Sequence, residues 1–312
     1  MKRRYIMLLS LLVLVVVLAV YLFYPVNSGE GTPSMTTPGS AETEFELSAE
    51  FPDMIKRSYP VYQTDVPTVT VEVVEEIAGS FGMTGKAEMS NSRTGEIKVV
   101  DDSKGELRHL SMYPASGAVL YEIPDKQFPD RVTEQPLLPA RDEAVVIADV
   151  FLKERGQRPP DAEVSAVEVD QQHEVWEAGM SEPKEVYNIT LAVRYERTLD
   201  GLQVYGDEMA VIIGDGGEVV GMVKCWREIE DAGEATVISA EEAYENLKVG
   251  KTIRPREMPG YDRVVIEEIT LGYWMEPRVS EQETVMPVWV FKGTVYYDHS
   301  EEPYQEYVAA VE

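Results

Sequence analysis

Three histidines, one cysteine and a surplus of carboxylates are the groups with which this chain could do chemistry. His109, His173 and His299 stand far apart, each in or beside a polar, strand-like segment, so a zinc site would need distant segments to converge. No His-Glu-x-x-His stretch sets two imidazoles one helical turn apart, and no Gly-x-Ser-x-Gly elbow presents a serine nucleophile. Cys225 sits between Lys224 and Trp226. A neighbouring ammonium can lower a thiol pKa, but a small packed side chain is the commoner role of a free cysteine. Acidic pairs recur throughout: Glu75-Glu76, Asp101-Asp102, Asp207-Glu208, Glu241-Glu242, Glu267-Glu268 and Glu301-Glu302. A glycosidase needs two carboxylates at a defined separation across a cleft, which abundance alone does not define. Asp215-Gly216-Gly217-Glu218 is too short for a calcium loop and reads as a turn. The expectation is a chain without catalytic residues, metal or cofactor, and not an enzyme.

Large aromatic side chains offer a different chemistry. Trp226, Tyr273, Trp274, Trp289 and Phe291 crowd the last third of the chain, on segments where alternate residues face opposite sides. Most are expected in a core. Neighbours such as Tyr273 and Trp274 cannot both point inward, so these five residues are the expected partner-binding set, presenting an aromatic face to a protein or peptide.

The elements that must position these groups are three amphipathic helices, each followed by strands. Val74, Ile77, Ala78 and Phe81 form one stripe, with Thr70 as N-cap and Gly82 or Gly85 as the stop. Ala144, Ile147, Ala148, Phe151 and Leu152 form the second, ended by Gly156 and Pro159-Pro160. Ser239-Ala240-Glu241-Glu242 is a capping box opening the third, with Ala240, Ala243, Tyr244 and Leu247 on its apolar side and Gly250 at its close. Period-two runs follow each helix, punctuated by Thr94-Gly95, Lys104-Gly105, Ser116-Gly117 and Asp200-Gly201. The reading is an α+β fold of tandem units, each a helix packed on a curled antiparallel sheet.

The stretch from Val193 to Met222 holds Asp200-Gly201, then Gly201-Leu202-Gln203-Val204-Tyr205-Gly206, then the turn at Gly214-Asp215-Gly216-Gly217. It resembles the PepSY and FTP domains, a resemblance that implies cystatin-like units in an extracytoplasmic protein. The segments Ile238 to Ala243, Ile269 to Trp274 and Met286 to Phe291 look like a further unit of this kind. Consecutive PepSY-like units behind a membrane anchor resemble YycH/YycI-type regulators, which implies a regulatory role outside the membrane.

Location and charge complete the reading. Lys2-Arg3-Arg4 precedes an uncharged run from Tyr5 to Tyr24, long enough for an uncleaved transmembrane helix with its basic end in the cytoplasm. Residues 27–50 are rich in Ser, Gly, Thr, Pro and Glu and read as a flexible stalk. The expected organisation is a signal anchor at 1–26, a stalk at 27–50, and α+β units at 51–135, 136–232 and 233–312. With one cysteine there is no internal disulfide framework. A net charge of -28 repels phosphate backbones and sets nucleic acid aside as a partner. The expected function is that of a single-pass, membrane-anchored, extracytoplasmic protein-binding or regulatory protein of unknown oligomeric state. An inhibitor or chaperone-like module for a secreted peptidase is the alternative, and a cell-surface hydrolase the second.

Overall fold

The computed structural model describes residues 43–65, 67–253, 261–297 and 300–311. Seventeen strands and four α-helices follow one another among them. The strands β1 (Glu44–Leu47) and β2 (Ser58–Thr64) lead to α1 (Val71–Ser80). Then come β3 (Ala87–Asn91), β4 (Glu96–Asp101), β5 (Arg108–Tyr113), β6 (Ala118–Glu122) and the short α2 (Pro124–Gln127). The helix α3 (Arg141–Glu154) precedes β7 (Glu163–Val175), β8 (Glu185–Glu196), β9 (Thr198–Leu199), β10 (Leu202–Tyr205), β11 (Glu208–Ile213), β12 (Val219–Cys225) and β13 (Ile229–Thr236). Last are α4 (Ala240–Lys248), β14 (Arg263–Trp274), β15 (Thr284–Val285), β16 (Pro287–Tyr297) and β17 (Ser300–Ala309).

Local chemistry starts and ends the long helices. The Thr70 hydroxyl accepts from the Val73 amide, and the Ser239 hydroxyl accepts from the Glu242 amide at 3.2 Å, each satisfying a first-turn donor. No side chain caps α3; Asp142 and Glu143 in its first turn face the positive end of the helix dipole instead. Each helix buries one stripe: Val74 and Ala78 on α1; Ala144, Ala148, Phe151 and Leu152 on α3; Ala240, Ala243, Tyr244 and Leu247 on α4.

Eight strands form the largest sheet, in the order β3-β4-β5-β6-β12-β11-β8-β7. Both α1 and α3 pack on one face of it. Val74, Ala78 and Phe81 share a core with Val99 and Leu110, and this is continuous with Ala148, Phe151 and Leu152 over Val193, Val211 and Ile213. A six-stranded sheet takes β14 as its spine, antiparallel to β16, which pairs in turn with β17. The other side of β14 takes β1, parallel at Arg263 to Ile266, and β10, parallel at Tyr273 and Trp274, with β9 beyond β10. The helix α4 covers this sheet, seating Ala243, Tyr244 and Leu247 on Ile266, Trp289 and Phe291. A three-stranded sheet, β13-β2-β15, completes the set. The described residues make one compact unit.

Two expectations are corrected. The fold is mostly β, built of large sheets, and not an α+β series of tandem cystatin-like units with one helix and one sheet apiece. Strands from either side of the expected 135/136 boundary share the eight-stranded sheet, joined where β6 pairs with β12 from Val119–Lys224 to Glu122–Gly221. Hydrophobic alternation places a strand on one face of a sheet but does not name its neighbour, so local periodicity suggested separate sheets. The second correction concerns the membrane. No helix among the described residues is long and apolar enough to cross one, and the anchor expected at 1–26 lies outside those residues. The expected transmembrane signal anchor, and the membrane as a partner through it, are therefore not upheld.

Candidate functional site

Four of the five expected aromatic residues are interior. Tyr273 and Phe291 are fully buried, and Trp289 and Trp226 nearly so. Their polar atoms are spent on the fold: Tyr273 donates its hydroxyl to Pro60 O at 2.9 Å, Trp289 its indole N–H to Ile238 O at 3.0 Å, and Trp226 its own to Asp161 Oδ1 at 3.0 Å. Trp274 is half-buried, stacked at 4.4 Å on Tyr307, which meets Tyr205 at 5.6 Å. The five residues thus lie in different packing environments and do not line up as one surface.

The chemical groups are equally dispersed. His109 Nδ1 lies 2.9 Å from Glu122 Oε1 across β5 and β6, His173 stands on β7 at the far side of the same sheet, and His299 lies outside the described residues. Among the described residues no group of three or more His, Cys, Asp or Glu side chains could hold a metal ion. Cys225 is buried, and burial pushes its thiol above the usual range.

What the surface does offer lies along α3. Val146 and Val150, one turn apart, are 62% and 49% exposed. With Ile147, Phe151, Glu154, Arg155 and Val219 they line an open groove of about 320 Å³. Ile147 also touches the turn at Asp215–Gly217, its Cδ1 3.1 Å from where a side chain on Gly217 would begin. A second open recess, about 430 Å³, continues past the end of the helix between Lys153, Gly156, Arg158, Pro159 and Pro160. Cations gather there: the Arg155 guanidinium stacks 3.9 Å from the Phe151 ring centre, and Arg158 lies 4.8 Å from that of Tyr195 while bonding Asp149 at 3.0 Å. In a chain with 56 acidic and 28 basic residues, three cations thus stand within six residues, with Asp149 3.8 Å from Lys153 and Glu154 3.6 Å from Arg155. The signal was present in Ala144-Val145-Val146-Ile147, followed by Val150-Phe151-Leu152, which is apolar on more sides than one buried stripe requires.

A second constellation is internal. The chain leaves the eight-stranded sheet for the six-stranded one at Arg197, between β8 and β9, and returns at Gly206-Asp207, between β10 and β11. Arg227 marks a third crossing, from β12 to β13 in the three-stranded sheet. Arg197 Nε and Asp207 Oδ2 lie 2.6 Å apart, both side chains at most 2% exposed. Arg197 also stacks 4.9 Å from the Trp226 ring centre and donates to Arg227 O at 3.0 Å. Arg227 donates to the carbonyls of Glu276, Pro277 and Ser280, tying the loop between β14 and β15 to the crossing. The segment from Val193 to Ile213 thus spans two sheets, and its Asp200-Gly201 turn joins β9 to β10.

No family model matches the chain, and no curated protein does. Among solved structures, an uncharacterized protein from Eubacterium rectale aligns with a TM-score of 0.47 at 10% identity, over 86% of this chain and 88% of that one. The YpeB C-terminal domain of Bacillus megaterium aligns with a TM-score of 0.36 at 17% identity, over 78% and 93%. A YpeB C-terminal domain is thus a structural neighbour, and none of the comparisons bears on YycH/YycI-type regulators. At these TM-scores neither likeness bears on function.

Proposed function

We propose that this chain is a non-catalytic protein-binding or regulatory module that takes its partner along α3. The observation that carries the reading is the pair Val146 and Val150, exposed beside Ile147, Phe151 and Val219 with cations at one end. Apolar side chains held in a groove contribute about 25 cal/mol for each Å² removed from water. A partner helix or extended segment with apolar residues at one-turn spacing and carboxylates at one end complements both parts of this surface. Its acidic end would meet Lys153, Arg155 and Arg158.

The alternative, an inhibitor docking on a secreted peptidase by strand addition, would use an open sheet edge. Register shifts at Val164/Ala166, Val169/Gln171 and Gln171/Gln172 weigh against the edge at β7, whereas β17 pairs with β16 without a shift.

The test is site-specific photocrosslinking in the source cell. A crosslinker at Val150 is expected to capture one defined protein, and the same group at Met89, an exposed residue on β3 at the opposite edge of the sheet, is not. No capture at Val150, or the same capture at both positions, would overturn the assignment.

A further inference from the structure

We propose that Arg197 and Asp207 form a proton-operated clasp at the crossing of the sheets, one that holds them more firmly when Asp207 is neutral than when it is charged. The place is set by topology. Arg197 and Asp207 are the residues at which the chain passes out of the eight-stranded sheet and back, and Arg227 stands at the third passage. A change in how these side chains meet therefore acts on all three sheets at once.

The pair is close but poorly bonded. Although Arg197 Nε is 2.6 Å from Asp207 Oδ2, the alignment is not that of a hydrogen bond. Among the described residues neither Asp207 oxygen has a hydrogen-bond partner, nor do Nε and Nη2 of Arg197. A buried carboxylate whose donor is close but misaligned is poorly compensated for its lost hydration, and the nearby cation recovers only part of that loss. Protonation removes the charge that has to be solvated.

The surroundings allow that change. Facing Asp207 are Arg197 and Arg227, the Cys225 thiol on β12, and Asp161 ahead of β7. Glu208, the next residue, is turned to Arg278 at 3.2 Å. Asp161 is also within 3.4 Å of Arg197, so the guanidinium keeps a carboxylate partner when Asp207 takes a proton. Burial pushes Asp207 up to about 6, against the pull of Arg197 and Arg227. Because that lies above the unfolded value of about 3.9, the folded chain holds an extra proton between roughly pH 4 and pH 6. Stability from this group is therefore present in mild acid and lost as pH rises through 6. Asp161 directly follows Pro159 and Pro160 of the recess beside α3, so the clasp and the groove share a loop.

The experiment compares wild type with Asp207→Asn by chemical denaturation at pH 5 and pH 7.5. Relative to the variant, the wild-type folding constant is expected to fall about tenfold between the two, one pKa unit being a factor of ten. Parallel profiles, or a wild type that gains over the variant as pH rises, would overturn the proposal. Should the variant fail to fold, amide exchange in the wild type decides. The Val204 and Met275 amides, bonded to Arg197 O and Tyr205 O at the crossing, are expected to be better protected at pH 5 than at pH 7.5 after correction for intrinsic rates. Flat or inverted protection would refute it.

Discussion

Replacing Gly206 by alanine tests how tightly the crossing between β10 and β11 is built. Gly206 has φ of +90°, and a Cβ there would stand 2.0 Å from Met275 O, whose residue is held by a hydrogen bond from its N–H to Tyr205 O. Two costs add. An L side chain in the left-handed region costs about 1–2 kcal/mol. Pushing a packed backbone carbonyl aside costs a further ~1–3 kcal/mol. The smaller entropy of the unfolded alanine chain offsets about 0.4–1 kcal/mol. The net loss is about 3 kcal/mol, which for a unit of this size lowers Tm by roughly 6–12 °C. Gly216→Ala supplies the comparison, because Gly216 also has a positive φ, +64°, but a Cβ there meets nothing within 4 Å. It is expected to lose under about 1 kcal/mol and to shift Tm by roughly 2 °C. Thermal melts followed by far-UV circular dichroism measure both. Equal shifts for the two variants would refute the reasoning, since the contact with Met275 would then cost nothing.

Two further outcomes follow from burial and charge. Phe291→Ala, in the core beneath α4, is expected to lose about 3–5 kcal/mol in denaturant unfolding, whereas Val150→Ala in the groove stays within about 0.5 kcal/mol. Asp101 is held down to about 2 by the hydroxyl and amide of Ser103, by the Thr84 amide, and by Arg108, whose Nη2 is 2.9 Å away. Its folded value lies below the unfolded one of about 3.9, so its contribution is complete above pH 4 and is lost as pH falls toward 2. Acid denaturation of Asp101→Asn is expected to lack this part of the wild-type slope.

The helices were legible in the sequence because their signals are local. The Thr70 and Ser239 caps, the stripe Ala240, Ala243, Tyr244 and Leu247, and the closing Gly250 all concern residues within a few turns of one another. The sheets were less so. Val193 to Ile213 reads as continuous strand and turn, yet Arg197 and Asp207 divide it between two sheets, and no alternation pattern marks a change of partner. The aromatic residues misled for a related reason. Tyr273 and Trp274 do point to opposite sides, but the second side is also furnished, with Tyr205 and Tyr307, so Trp274 is half-buried there. The groove beside α3 was missed because Val146 and Val150 were not separated from the buried stripe; the sequence shows that α3 is apolar on more than one side, but which side the sheet covers is set by the placement of the helix.

The first strands of the chain have a consequence for its synthesis. Glu44 to Leu47 pair with Arg263 to Ile266, and Ser58 to Thr64 pair with strands that begin at Ile229 and Thr284. A growing chain must therefore carry these strands unpaired while about two hundred further residues are made, roughly 10–40 s at ordinary elongation rates. During that interval Phe45 and Leu47, which later pack into the core under α4, have nothing to pack against. The last third of the protein supplies the partners of β1 and β2, so premature termination leaves the edges of those two strands exposed.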